Sequence, residues 1–224
     1  MIEDSIRLLA QLAISGNHDF AKEIAANPNI PSSVLAELAK RWEWLVKFRV
    51  ARNPNTSAET LDYLSRDASW EVRRGVAGNP NTPPDVLDNL IADYDMDVRF
   101  TAIQNPNTSL TTLIECSNCT ATFVRSAAAA CNRMPPRILS KMSHDKNHNV
   151  RLGVAGNTNT PPHTLTKLSN SSELGILWNV AENPNTPPQV LAKLAKDMDS
   201  NVSKAAIDNP NCPMELKVEY ILSS

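Results

Sequence analysis

The chain has 224 residues, 42% of them hydrophobic, and a formal net charge of −2 at neutral pH. That balance argues against a dedicated nucleic-acid coat, which is normally strongly basic, and no apolar run approaches the length of a membrane span. The acidic N-terminus (Met1-Ile2-Glu3-Asp4) enters a helical pattern at once, and the four cysteines are unevenly spread, so neither a secretory signal nor a disulfide framework is expected and the cytoplasm is the expected compartment.

Along the chain, an Asn-Pro-Asn-Thr tetrad or a close relative begins at Asn27, Asn53, Asn79, Asn105, Cys131, Asn157, Asn183 and Asn209, every gap being 26 residues. A period this strict marks one supersecondary unit stacked on copies of itself. The expected organisation is a single array over 1–224, with units 1–26, 27–52, 53–78, 79–104, 105–130, 131–156, 157–182 and 183–208 and a capping half repeat 209–224.

The unit 79–104 predicts the elements of each repeat. Thr82 suits an N-cap and Pro83 the first helical position, where a missing N–H costs nothing. Val86, Leu87, Leu90 and Ile91 then form the stripe of a short amphipathic helix, A. After Asp93-Tyr94-Asp95 a second helix, B, runs from Met96 to Gln104 with Val98, Ala102 and Ile103 inward, and Asn105-Pro106 stops it. Helices of two to three turns do not persist alone in water, so stability is expected from packing between repeats.

The columns agree from unit to unit. Helix A places Leu9, Leu35, Leu61, Leu87, Leu113, Leu139, Leu165 and Leu191 at one register, and Leu12, Leu38, Leu64, Leu90, Cys116, Met142, Leu168 and Leu194 three residues on. Helix B places Phe20, Val46, Val72, Val98, Val124, Val150, Ile176 and Val202 inward. In the last half repeat Lys217 and Glu219 are polar substitutions suited to a cap.

The unit Asn-Pro-Asn-Thr-Pro-Pro-x-Val-Leu-x-x-Leu, best seen from Gly78 to Leu90, together with the helix B run Val72 to Ala77, resembles the leucine-rich repeat variant family. The resemblance implies an all-α, right-handed α-solenoid in which short α-helices alternate with 3₁₀ segments. Helix B is also similar to a HEAT repeat, in which an Asp precedes a Val-Arg pair. Some relatives hold an iron–sulfur cluster on an N-terminal cysteine-rich segment; no cysteine precedes Cys116 here, so no cofactor is carried over. The family implies a scaffold and no enzymatic activity.

Two columns on helix B carry the candidate sites. Lys47, Arg73, Arg99, Arg125 and Arg151 recur once per repeat, with Asp67, Asp93 and Asp145 six residues before Arg73, Arg99 and Arg151. These are expected to form a structural Asp–Arg ladder. Arg125, with Cys119 in place of the Asp, is expected to be the one best placed to meet a partner. A second pair of columns, at i and i+4 on a face away from the Val/Ala stripe, contains Trp44, Phe48, Trp70, Arg74, Phe100 and Trp178. In solenoids the second helix usually lines the concave wall, and aromatic residues with arginine are the composition of binding hot spots. Net charge on the helix B segments runs +2, +1, −1, +1 and +2 from 42–52 to 146–156, then −2 and −1 over 172–182 and 198–208, a gradient that would orient an acidic partner.

Cys116, Cys119 and Cys131 have a C-x₂-C element, but Cys116 falls on a core leucine register and Cys131 on a turn Asn, so no metal site is expected. His144 and His148 straddle the turn between A and B, and no nucleophile elbow, phosphate loop or HExxH is present. The expected function is a non-catalytic scaffold that binds a protein or peptide along helices B. The alternative is a nucleic-acid-binding solenoid that uses the arginine column and stacked aromatics.

Overall fold

The computed structural model describes residues 8, 11, 12, 15 and 18–223. Among these lie sixteen α-helices: α1 His18–Ala26, α2 Ser32–Leu38, α3 Trp44–Arg52, α4 Ala58–Leu64, α5 Trp70–Ala77, α6 Pro84–Leu90, α7 Met96–Gln104, α8 Leu110–Ser117, α9 Thr122–Ala130, α10 Pro136–Met142, α11 His148–Gly156, α12 Pro162–Leu168, α13 Leu174–Glu182, α14 Pro188–Leu194, α15 Ser200–Asp208 and α16 Met214–Ser223. Even-numbered helices are the predicted A helices and odd-numbered ones the B helices. Among the described residues every helix is α. Instead of 3₁₀ segments there are isolated i→i+3 turns: the Asn79 N–H donates to Val76 O (3.0 Å) and the Thr82 N–H to Asn79 O (3.1 Å).

The chain forms two compact units, Met1–Thr112 and Leu113–Ser224. In the first, α1, α3, α5 and α7 pack on one another in succession; in the second, α9, α11, α13 and α15 do the same. The A helices flank these B stacks. This follows from side-chain size. Helix B turns Val and Ala inward (Val46, Val50, Ala51, Val72, Val76 and Ala77 are buried), and thin side chains let helix axes approach closely. Helix A supplies the bulk: Leu35, Leu61 and Leu87 in the first unit and Leu139, Leu165 and Leu191 in the second are fully buried.

The predicted inward columns hold except at the ends. Leu12 is 40% exposed and Phe20 38%. Leu9 lies outside the described residues. The half repeat 209–224, expected to be a polar cap, carries an apolar exposed stripe instead: Met214, Val218, Ile221 and Leu222 on α16 all face solvent. Lys217, read as the capping substitution, is only half-buried beside that stripe.

The tetrad is the joint between repeats. Asn79 is buried, and its Nδ2 donates to the carbonyls of Ala51 (2.7 Å) and Asn53 (2.9 Å), which lie on either side of the preceding joint, while its Oδ1 accepts from the Asn81 N–H (2.9 Å). The same double donation recurs at Asn53, Asn105, Asn157, Asn183 and Asn209. The second Asn reaches back too: Asn81 Nδ2 donates to Pro54 O, and Asn107 Nδ2 to Pro80 O. These amides satisfy carbonyls at helix ends that have no partner within their own helix.

The N-cap expectation for Thr82 is corrected. Its hydroxyl donates to Val76 O at 2.6 Å, closing the C-terminal end of α5 in the preceding repeat, and the extended Pro83 precedes α6 with no side-chain cap. Thr56, Thr108, Thr160 and Thr186 make the equivalent bond six residues back. The Thr is fully buried, and its oxygen meets the helix it follows before it can meet the one it precedes.

Candidate functional site

The arginine column is built into the fold, in a register the spacing did not suggest. Arg73 grips Asp93, twenty residues later, through Nε (2.6 Å) and Nη2 (2.8 Å), and its Nη1 donates to the carbonyls of Asp67 (2.8 Å) and Ala68 (3.1 Å). Lys47 pairs with Asp67 over the same span, at 2.7 Å. In the second unit Arg125 pairs with Asp145 through Nε and Nη2, at 2.7 and 3.1 Å. Arg151 finds no Asp at the matching position; Glu173, two residues further on, accepts its Nη2. Within a repeat the six-residue relation joins the arginine to the aspartate's main-chain carbonyl: Arg99 to Asp93 O and Arg151 to Asp145 O.

The aspartates answer in two directions. One carboxylate oxygen of Asp93 also accepts the Asp95 N–H (2.9 Å), which shapes the turn into α7. Burial alone would raise the Asp93 pKa, but the Arg73 and Asp95 hydrogen bonds and the charges of Arg73 and Arg99 outweigh it and hold the carboxyl below its ordinary range. Asp145 is also lowered, chiefly by its hydrogen bond from Arg125. Arg125 is therefore corrected as a partner-facing residue. It is 8% exposed, and its guanidinium is engaged by Asp145 and by the Cys119 and Thr120 carbonyls.

The second pair of columns lies on the exposed side of helix B. In the first unit Trp44 is 48% exposed, Trp70 36% and Phe100 43%; Arg74 is exposed and Phe48 packs partly against the core. Trp44 and Phe48, one turn apart on α3, meet with ring centroids 6.5 Å apart, and the Arg52 guanidinium lies 5.6 Å from the Phe48 ring centre. Phe48, Arg52, Arg74, Gly75, Gly78 and Thr101, from α3, α5, α7 and the end of α5, line a groove of about 360 Å³. Gly75 sets its floor: a Cβ there would come within 3.0 Å of the Ala51 Cβ and 3.3 Å of Phe48. Trp178, 41% exposed on α13, belongs to the second unit with Leu174 as its exposed neighbour one turn back.

Arg52 and the two glycines were missed from sequence. Arg52 stands at the last position of helix B, which reads as a helix end and not as part of a face. The signal was its i+4 relation to Phe48. Trp42 (86% exposed) and Tyr94 (100% exposed) were also missed; they occupy the same register in turns between A and B, where the other repeats carry smaller or polar residues except at Met198.

Cys116 and Cys131 are buried and Cys119 is half-buried. Among the described residues no three His, Cys, Asp or Glu side chains gather as metal ligands, and no helix is long and apolar enough to cross a membrane. His144 Nδ1 lies 3.2 Å from the Ser140 carbonyl at the end of α10, while His148 begins α11.

Paired helices, an apolar seam and side-chain amides bonded to the repeat before define an all-α repeat protein of the solenoid class. The family model "Leucine rich repeat variant" matches residues 70–95, one repeat length of the chain. A solved leucine-rich repeat variant with a novel repetitive structural motif aligns with a TM-score of 0.62 at 22% identity, over 92% of this chain and 82% of that one. A designed armadillo repeat protein aligns at a TM-score of 0.27 and 14% identity, over 89% and 95% of the two chains. Another, in complex with the peptide (KR)4, gives 0.25 and 16% over 97% and 91%. The last two are too distant to bear on function. No curated protein matches the chain.

Proposed function

We propose that this protein is a non-catalytic binding module that takes a peptide, or an extended segment of a partner protein, along the exposed side of its B helices. One observation carries the reading: the groove lined by Phe48, Arg52, Arg74, Gly75, Gly78 and Thr101, which joins apolar and cationic side chains from successive repeats over a glycine floor. Exposed Trp44, Trp70 and Phe100 on the same helices extend it with aromatic area. Aromatic and arginine side chains of this kind contribute most to interface energy when a partner covers them.

The nucleic-acid alternative relied on the arginine column together with stacked aromatics. Arg73 and Arg125 spend their guanidiniums on carboxylates and carbonyls, so that column is a weak source of phosphate contacts. Selection of random dodecamer peptides displayed on phage, against the whole chain, tests the proposal. Enriched peptides should lose binding to a Trp70→Ala, Phe100→Ala variant of unchanged melting temperature. Failure to enrich any peptide, or equal binding to the variant, overturns it.

A further inference from the structure

Building on that reading of the B-helix face, we infer that the first unit's groove selects an acidic peptide whose carboxylates alternate with apolar side chains. Among the described residues, Arg49, Arg52 and Arg74 are exposed and have no carboxylate partner. Their neighbours in the ladder are the opposite case: Lys47 and Arg73 are each paired with an aspartate. The face therefore keeps uncompensated positive charge while the layer beneath it is neutralised.

The groove also fixes where a carboxylate would sit. Arg52 lies over the Phe48 ring, a cation–π contact that holds the guanidinium plane and leaves its N–H edge for a planar anion. Arg74 lines the same groove from α5 and supplies a second fork. Between them Gly78 is exposed and adds no side chain, so a ligand chain can approach its backbone while an apolar side chain rests on Phe48; Gly75 is buried and lets α5 close on α3. Neither nearby acid lines the groove: Glu71 accepts the Ser69 hydroxyl, and Asp97 stands in the first turn of α7. The two cations that line the groove, Arg52 and Arg74, suit one or two carboxylates; a nucleic-acid strand would need a cation for each of a run of phosphates.

Fluorescence anisotropy of the whole chain with a fluorescein-labelled (Glu-Leu)4 peptide tests the inference, with (Lys-Leu)4 and an eight-residue oligothymidine as competing probes. The acidic peptide should bind in preference to both and weaken with added salt. Arg52→Glu with Arg74→Glu should weaken it by about tenfold or more, and Arg52→Gln with Arg74→Gln by less. Lys141→Glu, in the second unit, should leave binding unchanged. Circular dichroism melting checks that the charge-reversed form is folded; if it is not, the glutamine pair decides. Equal affinity for the basic peptide, preference for the oligonucleotide, or indifference to the arginine changes overturns the inference. If (Glu-Leu)4 fails while phage-selected peptides still depend on Trp70 and Phe100, the acidic preference falls and the peptide-binding reading stands.

Discussion

The Asp93 carboxylate pairs with Arg73 of the repeat before it, while the Arg99 side chain, six residues after it, donates to its main-chain carbonyl. Arg73 reaches the Asp93 carboxylate through two nitrogens at 2.6 and 2.8 Å. One aspartate thus joins three things: the cation of the previous helix B, the turn of its own repeat, and the arginine of its own helix B. The ladder is a bond between layers, and its loss should be felt at the joint between α5 and α7.

A double-mutant cycle reads this directly. Arg73→Ala and Asp93→Ala should each destabilise by about 1–3 kcal/mol, since each leaves a half-buried polar group unsatisfied. Their coupling should be about 0.5–3 kcal/mol, with the double mutant costing less than the sum. Chemical denaturation supplies the values. Strict additivity of Arg73 and Asp93 would mean that the pair seen at 2.6 Å is not energetically joined.

Asn79→Ala removes the donor shared by Ala51 O and Asn53 O in a buried position. The expected cost is about 1–3 kcal/mol. Asn79→Asp should be worse at neutral pH, because a carboxylate would face two carbonyl oxygens, and should partly recover as acid protonates it. Melting curves at pH 7 and pH 4 compare the two; equal stability of the alanine and aspartate forms at both pH values would contradict the geometry.

Leu87, on α6, is fully buried. Leu87→Ala should cost about 2–5 kcal/mol through lost transfer energy and a residual cavity. Hydrogen exchange should show the loss first in α6 and the B helices it packs against. An exposed control, Asp85→Ala on the same helix, should leave the exchange pattern nearly unchanged.

Acid should weaken the fold in a defined window. The Glu43 carboxyl is held down at about 2, first by its hydrogen bonds from Arg41, against an ordinary value of 4.5. A carboxyl lowered in the folded state contributes stability that is full above its unfolded pKa and is lost as pH falls toward the folded value. For Glu43 the loss therefore runs from about pH 4.5 down to about pH 2, and Asp93 and Asp145, both lowered, add to it. Glu43→Gln should flatten the pH dependence of the melting temperature in this range without raising stability at pH 7. An unchanged slope would assign acid sensitivity to other groups.

By itself the sequence determined the repeat length, the helix pairs, the buried columns and the face on which aromatics recur. Those features depend on periods of 3.6 and 26 residues, and a periodic signal survives without knowledge of any neighbour. Leu87, Val98 and Asn105-Pro106 are legible for that reason. Only the tertiary structure decided which partner each polar side chain meets. Thr82 bonds backward to Val76 and not forward to α6, Asn79 reaches carbonyls 26 and 28 residues earlier, and Arg125 finds its carboxylate in the next repeat even though its own lacks one. The groove at Phe48, Arg52 and Arg74 has the same origin, since it exists only where α3, α5 and α7 lie side by side. A side chain's reach is set by the lateral offset of stacked layers, and that offset comes from how Val, Ala and Gly let the B helices close on one another.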